Sequence, residues 1–128
     1  MSLALFFITH EGIASNLLTV AERILKVSDN NICCLEVPMD APVHEIVKNC
    51  KQNLSQLSTA KGLLFITDAY GSTPGNISQQ LATELDTPLI SGVNLPMVIR
   101  LLNYRDEDMS TLVDKALDAA RTCIRQYN

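Results

Sequence analysis

Leu3-Ala4-Leu5-Phe6-Phe7-Ile8 runs directly into Thr9-His10-Glu11-Gly12, and this junction decides how the chain folds. An unbroken apolar run, mostly bulky and stopped by a polar turn, is the pattern of a strand covered on both faces, as strands of parallel sheets are. Over residues 13–27, Ile13, Leu17, Val20, Ile24 and Val27 recur at helical spacing on one face, which predicts an amphipathic helix. His10 therefore falls in a strand-to-helix turn, at the carboxyl end of a strand. Open α/β sheets bind ligands at that end, and the amides opening the next helix favour an anion there.

Gly62-Leu63-Leu64-Phe65-Ile66-Thr67 repeats the pattern and ends in the polar turn Asp68-Ala69-Tyr70-Gly71-Ser72-Thr73-Pro74-Gly75-Asn76. Residues 31–37 read as a further strand and residues 42 to about 57 as a helix, giving the order βαβαβ. Right-handed crossovers in a doubly wound, flavodoxin-like sheet make the first and third strands neighbours, with the switch point between their ends. The expected fold is a single, mainly parallel open sheet of the α/β class with helices on both faces. In that arrangement His10 and Asp68 meet. A carboxylate that accepts the proton of one imidazole nitrogen leaves the lone pair of the other free to attack, so the pair suits nucleophilic chemistry. Asp68 by itself reads first as a turn residue bonding nearby amides; its pairing with His10 at corresponding strand ends points to a site.

The second half adds a short strand over residues 86–92, entered through Pro88, and two helices. Asn94 is placed to cap the first of them, with Pro96 in its opening turn and its end near residue 104. Ser110 is placed to cap the last, which continues to about residue 125 and offers Leu112, Ala116, Ala119, Ala120 and Cys123 for packing. The loop Gly92-Val93-Asn94 is a wall of the same pocket. With 128 residues, 47% of them apolar, and no linker, repeat or low-complexity stretch, residues 1–128 read as one domain. No apolar run is long enough to span a bilayer and no leader is recognisable, so the expected place is the cytoplasm, without membrane insertion. A net charge of −4 with scattered basic residues argues against a nucleic-acid partner. Cys33, Cys34, Cys50 and Cys123 show no Cys-x-x-Cys spacing, which predicts reduced, mostly core thiols and no zinc site. His10, Asp68 and Glu11 supply too few convergent ligands for a closed metal site, and His44 reads as a solvated residue in the first turn of a helix.

These residues carry a resemblance. The strand ending in Thr9-His10, the strand ending in Asp68 with Tyr70-Gly71-Ser72-Thr73-Pro74 behind it, and Gly92-Val93-Asn94-Leu95-Pro96-Met97 are similar in order and spacing to the IIA component of the mannose family of the bacterial phosphotransferase system. The similarity covers essentially the whole chain. It implies that His10 takes a phosphoryl group from phospho-HPr and passes it to a IIB partner, that Asp68 bonds the imidazole, and that the protein is a cytoplasmic homodimer exchanging a strand. Transfer of this kind needs an in-line lone pair, donors around the equatorial oxygens and no cofactor. The amides and hydroxyls of Gly71, Ser72 and Thr73 are the expected phosphate donors, with Thr9 and Asn94 as further phosphate or partner contacts. Tyr70 walls the pocket, meets the partner or simply packs. Glu11 between His10 and Gly12, the sequence Tyr-Gly-Ser-Thr-Pro, and Leu102-Asn103-Tyr104-Arg105 make the chain more similar to stand-alone proteobacterial members than to fused sugar transporters. Sugar uptake and regulation both stay open.

Two other classes compete. A receiver domain phosphorylated on Asp68 wants a pair of acidic residues after the first strand, and Thr9-His10-Glu11 supplies one carboxylate. A flavodoxin-like nucleotide- or flavin-binding module wants a longer phosphate loop than Thr9 to Gly12. A purely structural dimerisation module leaves the coincidence of His10 and Asp68 unexplained.

Overall fold

A computed structural model describes residues 2–28 and 30–128. Its strands β1 (Ala4–His10), β2 (Ile32–Val37), β3 (Leu63–Thr67) and β4 (Leu89–Ile90) form one parallel sheet in the order β2-β1-β3-β4. The chain begins in the middle of the sheet, moves out to β2, then returns past β1 to β3 and β4. Winding reverses between β1 and β3, which is the switch point of a doubly wound α/β fold. Helices α1 (Ala14–Leu25), α4 (Leu95–Asn103) and α5 (Met109–Thr122) cover one face, and α2 (Val43–Leu54) and α3 (Thr73–Leu85) cover the other.

Strand alternation sorts β1 between the two layers. Leu5 and Phe7 join α1, α4 and α5, while Ala4, Phe6 and Ile8 join α2 and α3. Burial on both sides is why the run is continuously apolar rather than alternating. Across the β1–β3 seam Phe6 and Phe65 pack tilted, with ring centroids 5.5 Å apart. Such a pair adds about 1 kcal/mol beyond the area it buries. At the opposite end of the sheet Arg105, 4% exposed, ties the segment between α4 and α5 to the starts of β1 and β2. Its guanidinium donates to the carbonyls of Asn30 at 2.7 Å, Leu3 at 2.6 Å and Asn31 at 3.2 Å.

Several local expectations are corrected. α1 is shorter than residues 13–27, leaving Ile13 and Val27 outside it; these two and Val20 and Ile24 are exposed, and the helix instead turns Ala14 and Ala21, both fully buried, to the core. α1 shares its face of the sheet with α4, against which it packs, and methyl side chains allow the close approach that branched ones prevent. Thr73-Pro74-Gly75-Asn76, read as part of a polar turn, are the first turn of α3. α5 is capped by Asp108, which accepts the Thr111 amide at 2.8 Å, rather than by Ser110, and it ends at Thr122 with Cys123 exposed. Asn94 does cap α4, accepting the Met97 amide at 3.1 Å.

All four cysteines are free; Cys50 is buried in the core, Cys33 and Cys34 are partly buried against it, and Cys123 is exposed. Cys33 and Cys34 point into opposite layers. Burial pushes the thiols of Cys34 and Cys50 up to about 12, which keeps them neutral. Among the described residues no helix is long and apolar enough to cross a membrane.

Candidate functional site

β1 runs past the apolar stretch because Thr9 and His10 still pair with Glu36 and Val37 of β2, so His10 is the last strand residue and not part of the turn. On the other side the β1–β3 ladder stops at Ile8 and Thr67, and the chain leaves β3 at Asp68, beside the end of β1. Alternation gives His10 the same face as Phe6 and Ile8, the side covered by α3.

The switch point thus brings the two residues into contact. His10 Nδ1 lies 2.7 Å from Asp68 Oδ2, and the same oxygen accepts the His10 backbone amide at 3.1 Å. The other carboxylate oxygen accepts the Ala69 amide at 3.0 Å. Burial alone raises the Asp68 pKa, but the bonds from the His10 ring and amide outweigh it, and the carboxyl is held below its ordinary value. An ionised carboxylate has no proton to donate, so in the neutral imidazole Nδ1 carries the hydrogen and Nε2 keeps the lone pair. The imidazole is 37% exposed and the carboxylate 14%, which leaves the ring edge open and its tether covered.

The loop after Asp68 is built as a helix entrance. Gly71 adopts φ +83°, in the left-handed region where side chains are strained, and a Cβ there meets nothing within 4 Å; conformation rather than space requires glycine. Ser72 caps α3, accepting the Gly75 amide at 3.2 Å while its own hydroxyl donates to Ala69 O at 2.6 Å. Thr73 is exposed at the first position of the helix, and among the described residues its hydroxyl makes no hydrogen bond. Tyr70 is 83% exposed and packs on nothing that buries it.

Other sequence-selected residues are placed differently. Thr9 is fully buried; its hydroxyl accepts the Ala14 amide at 3.1 Å and donates to His10 O at 2.9 Å, so it braces the turn from within. Asn94 uses both ends of its amide within the chain, on Met97 and on Ala120 O at 3.1 Å. With Val93 and Leu95 it faces Gly12, Ile13, Asn16, Leu17 and Val20 across a shallow groove of about 420 Å³ beside the turn. His44 is exposed on α2. A cavity of about 750 Å³ lies at the amino end of the strands around Asn31 and Ser58, away from His10. Among the described residues no three histidine, cysteine, aspartate or glutamate side chains converge as a metal site.

One participant escaped the sequence reading. Glu36, at the end of β2, accepts the Ser15 amide in the first turn of α1, the place expected to hold an anion beside His10. The available signal was negative: Gly12-Ile13 offers α1 no capping side chain, so an acceptor has to come from elsewhere.

The EIIA-man model, described as PTS system fructose IIA component, matches residues 4–118. The chain is 29% identical over 128 residues to the PTS system mannose-specific EIIAB component of Escherichia coli strain K12, covering 98% of this chain but only 39% of that protein. In structure it is similar to the mannose/sorbose specific IIA subunit of the phosphotransferase system from Enterococcus faecalis, with TM-score 0.86, 16% identity and coverage of 100% and 96% of the two chains. Phosphotransferase system component EIIA from Streptococcus agalactiae aligns with TM-score 0.83 and 22% identity, over 97% and 96%. At these identities the structural matches speak for the fold.

Proposed function

Because the chain belongs to the EIIA-man family of phosphotransferase-system IIA components, we propose that it is a phosphocarrier in which His10 takes a phosphoryl group from phospho-HPr and passes it to a IIB partner. The observation that carries this reading is the 2.7 Å contact of His10 Nδ1 with Asp68, which leaves Nε2 as the free, outward nucleophile. In the transfer the Nε2 lone pair attacks phosphorus in line with the bond to the donor's imidazole. That bond breaks as the new one forms, and its electron pair returns to the donor ring. The proton on Nδ1 stays in place, and Asp68 balances the positive charge that the phosphorylated ring acquires.

Around the equatorial oxygens the amides of Gly71 and Thr73 and the Thr73 hydroxyl are the donors. Ser72 holds the loop from behind, its hydroxyl being engaged with Ala69 and Gly75. Asn94 supports the neighbouring wall. No cofactor takes part. Residues 1–128 act as one IIA domain, working in the cytoplasm as a homodimer. Sugar uptake and regulation both draw on this same step. The alternative of a receiver-like acceptor aspartate is less well supported, since Asp68 is turned inward onto His10.

Incubation with phosphoenolpyruvate, enzyme I and HPr tests the reading. One acid-labile, alkali-stable phosphoryl group per chain is expected, and His10→Ala should remove it while His44→Ala keeps it. Label that survives in His10→Ala, or maps to Asp68, overturns the assignment.

A further inference from the structure

α1 begins without a cap of its own, since the residue before it is Ile13, whose side chain accepts nothing. The acceptor arrives from the neighbouring strand. Glu36 sits opposite Thr9 in the β1–β2 register, and its Oε2 accepts both the Ser15 amide at 3.0 Å and the Ser15 hydroxyl at 2.9 Å. Desolvation opposes the charge, but these bonds, with the nearby amides of Gly12 and Ala14, outweigh it and hold the carboxyl below its ordinary range. Asn16 Nδ2 closes the same turn on Gly12 O at 2.7 Å.

We propose that Glu36 is a positioning residue for the His10 site, filling the anion-binding amides that open α1 and so directing the phosphoryl group on His10 to the start of α3. The proposal rests on the phosphocarrier reading above. Two helix N-termini border His10, and each by itself attracts an anion through free amides and the helix dipole. With Glu36 bound, the Ser15 amide and hydroxyl are already taken, and the carboxylate adds a negative charge at the α1 end that repels a phosphoryl dianion. The α3 end keeps the Thr73 hydroxyl unengaged among the described residues, next to the left-handed Gly71. The intramolecular carboxylate therefore removes one of two competing orientations and leaves the group on the side where Asp68 already fixes the ring. By tying Ser15 to β2, Glu36 also steadies the turn that follows the nucleophile.

Amide NMR spectra of wild type, Glu36→Ala and Glu36→Gln, each titrated with inorganic phosphate and each phosphorylated through HPr, test this. In wild type, phosphorylation should shift Gly71 and Thr73 and leave Ser15 unmoved. In Glu36→Ala, both inorganic phosphate and phosphorylation should newly shift Gly12, Ala14 and Ser15, and delivery to the IIB partner should slow by about tenfold, the order expected for a misplaced reacting group. Glu36→Gln keeps the shape and one acceptor oxygen but not the charge, so the same shifts should appear more weakly. If wild type accepts phosphate on His10 but neither variant shows new shifts at Gly12, Ala14 and Ser15, the role of Glu36 is refuted while the phosphocarrier reading stands. If wild type accepts no phosphoryl group, that reading itself fails, and the inorganic phosphate titration still decides whether Glu36 guards the α1 amides.

Discussion

One oxygen of Asp68 holds His10 twice, accepting the ring at 2.7 Å and the backbone amide at 3.1 Å. The carboxylate therefore ties the rotation of the imidazole to the end of β1 itself, and a ring so held presents only Nε2. Asp68→Asn should break this, because a carboxamide can donate as well as accept and no longer dictates which nitrogen carries the proton. The expected result is a transfer rate down by about a hundredfold or more, with the circular dichroism spectrum unchanged. A variant that accepts phosphate at the wild-type rate would show that Asp68 is only a turn residue.

Ser72 and Thr73 are neighbours with separate tasks. Ser72→Ala removes the α3 cap and should cost about 1 kcal/mol of stability, read as a lower midpoint in urea, with a modest effect on transfer. Thr73→Val keeps the helix but removes the free hydroxyl, so it should leave the midpoint near wild type and slow phosphoryl acceptance. The opposite pattern, with Ser72→Ala slowing transfer more than Thr73→Val, would move the phosphate contact to Ser72.

Asp68 and Glu36 both have pKa values lowered in the folded state, from 3.8 and 4.5, and this fixes the sign of a pH effect. A depressed folded value means that the stabilisation is complete above the unfolded value and is lost as the pH falls through that value towards the folded one. Urea midpoints should accordingly be flat down to roughly pH 5 and then decline on acidification. Asp68→Asn with Glu36→Gln should begin less stable and decline less steeply. Equal slopes in wild type and the double variant would mean that these carboxylates do not contribute to acid sensitivity.

Much of this was legible in the sequence because burial leaves a simple mark. Ala4 to Ile8 and Leu63 to Ile66 are covered on both sides, and their unbroken apolar runs announced parallel strands and, through the winding rule, the meeting of His10 with Asp68. The orientation of α1 was not legible, since its sequence holds two apolar stripes and only the crowding by α4 decides that the alanine stripe goes inward. The start of α3 was hidden by Gly71, Pro74 and Gly75, residues typical of turns, although Ser72 before Pro74 is itself a helix-start signal. Glu36 was hidden for a different reason. Its partner is Ser15, and nothing local links a strand-end glutamate to a helix more than twenty residues earlier.

Arg105 offers a test of the far end of the sheet. Its planar guanidinium reaches three carbonyls at once, of Asn30, Leu3 and Asn31, a fan that a single ammonium cannot reproduce. Arg105→Lys should cost about 2 kcal/mol, in the range of hydrogen bonds to a charged group, while the phosphorylation rate of the remaining folded protein is unaltered. A urea midpoint equal to wild type would mean that water replaces the lost bonds without penalty.

The final expectation concerns assembly. β4 pairs with β3 through Leu89 and Ile90 and, among the described residues, has no strand on its other side, so its outer edge is a template for another strand. Ile124 and Tyr127, in the segment after α5, are 77% and 80% exposed, and Val20 and Ile24 on α1, with Ile13 and Val27 flanking it, are exposed as well. Exposed apolar groups in such number favour burial against a second copy, with each about 25 cal/mol for every Å² removed from water. Light scattering at micromolar concentration should therefore give twice the chain mass of 14.1 kDa. Ile124→Asp with Tyr127→Asp should shift the equilibrium to monomer while leaving the His10 and Asp68 amide resonances in place. A wild-type mass equal to the single chain would refute the dimer, and a dimer indifferent to both aspartates would place the contact elsewhere than on the segment after α5.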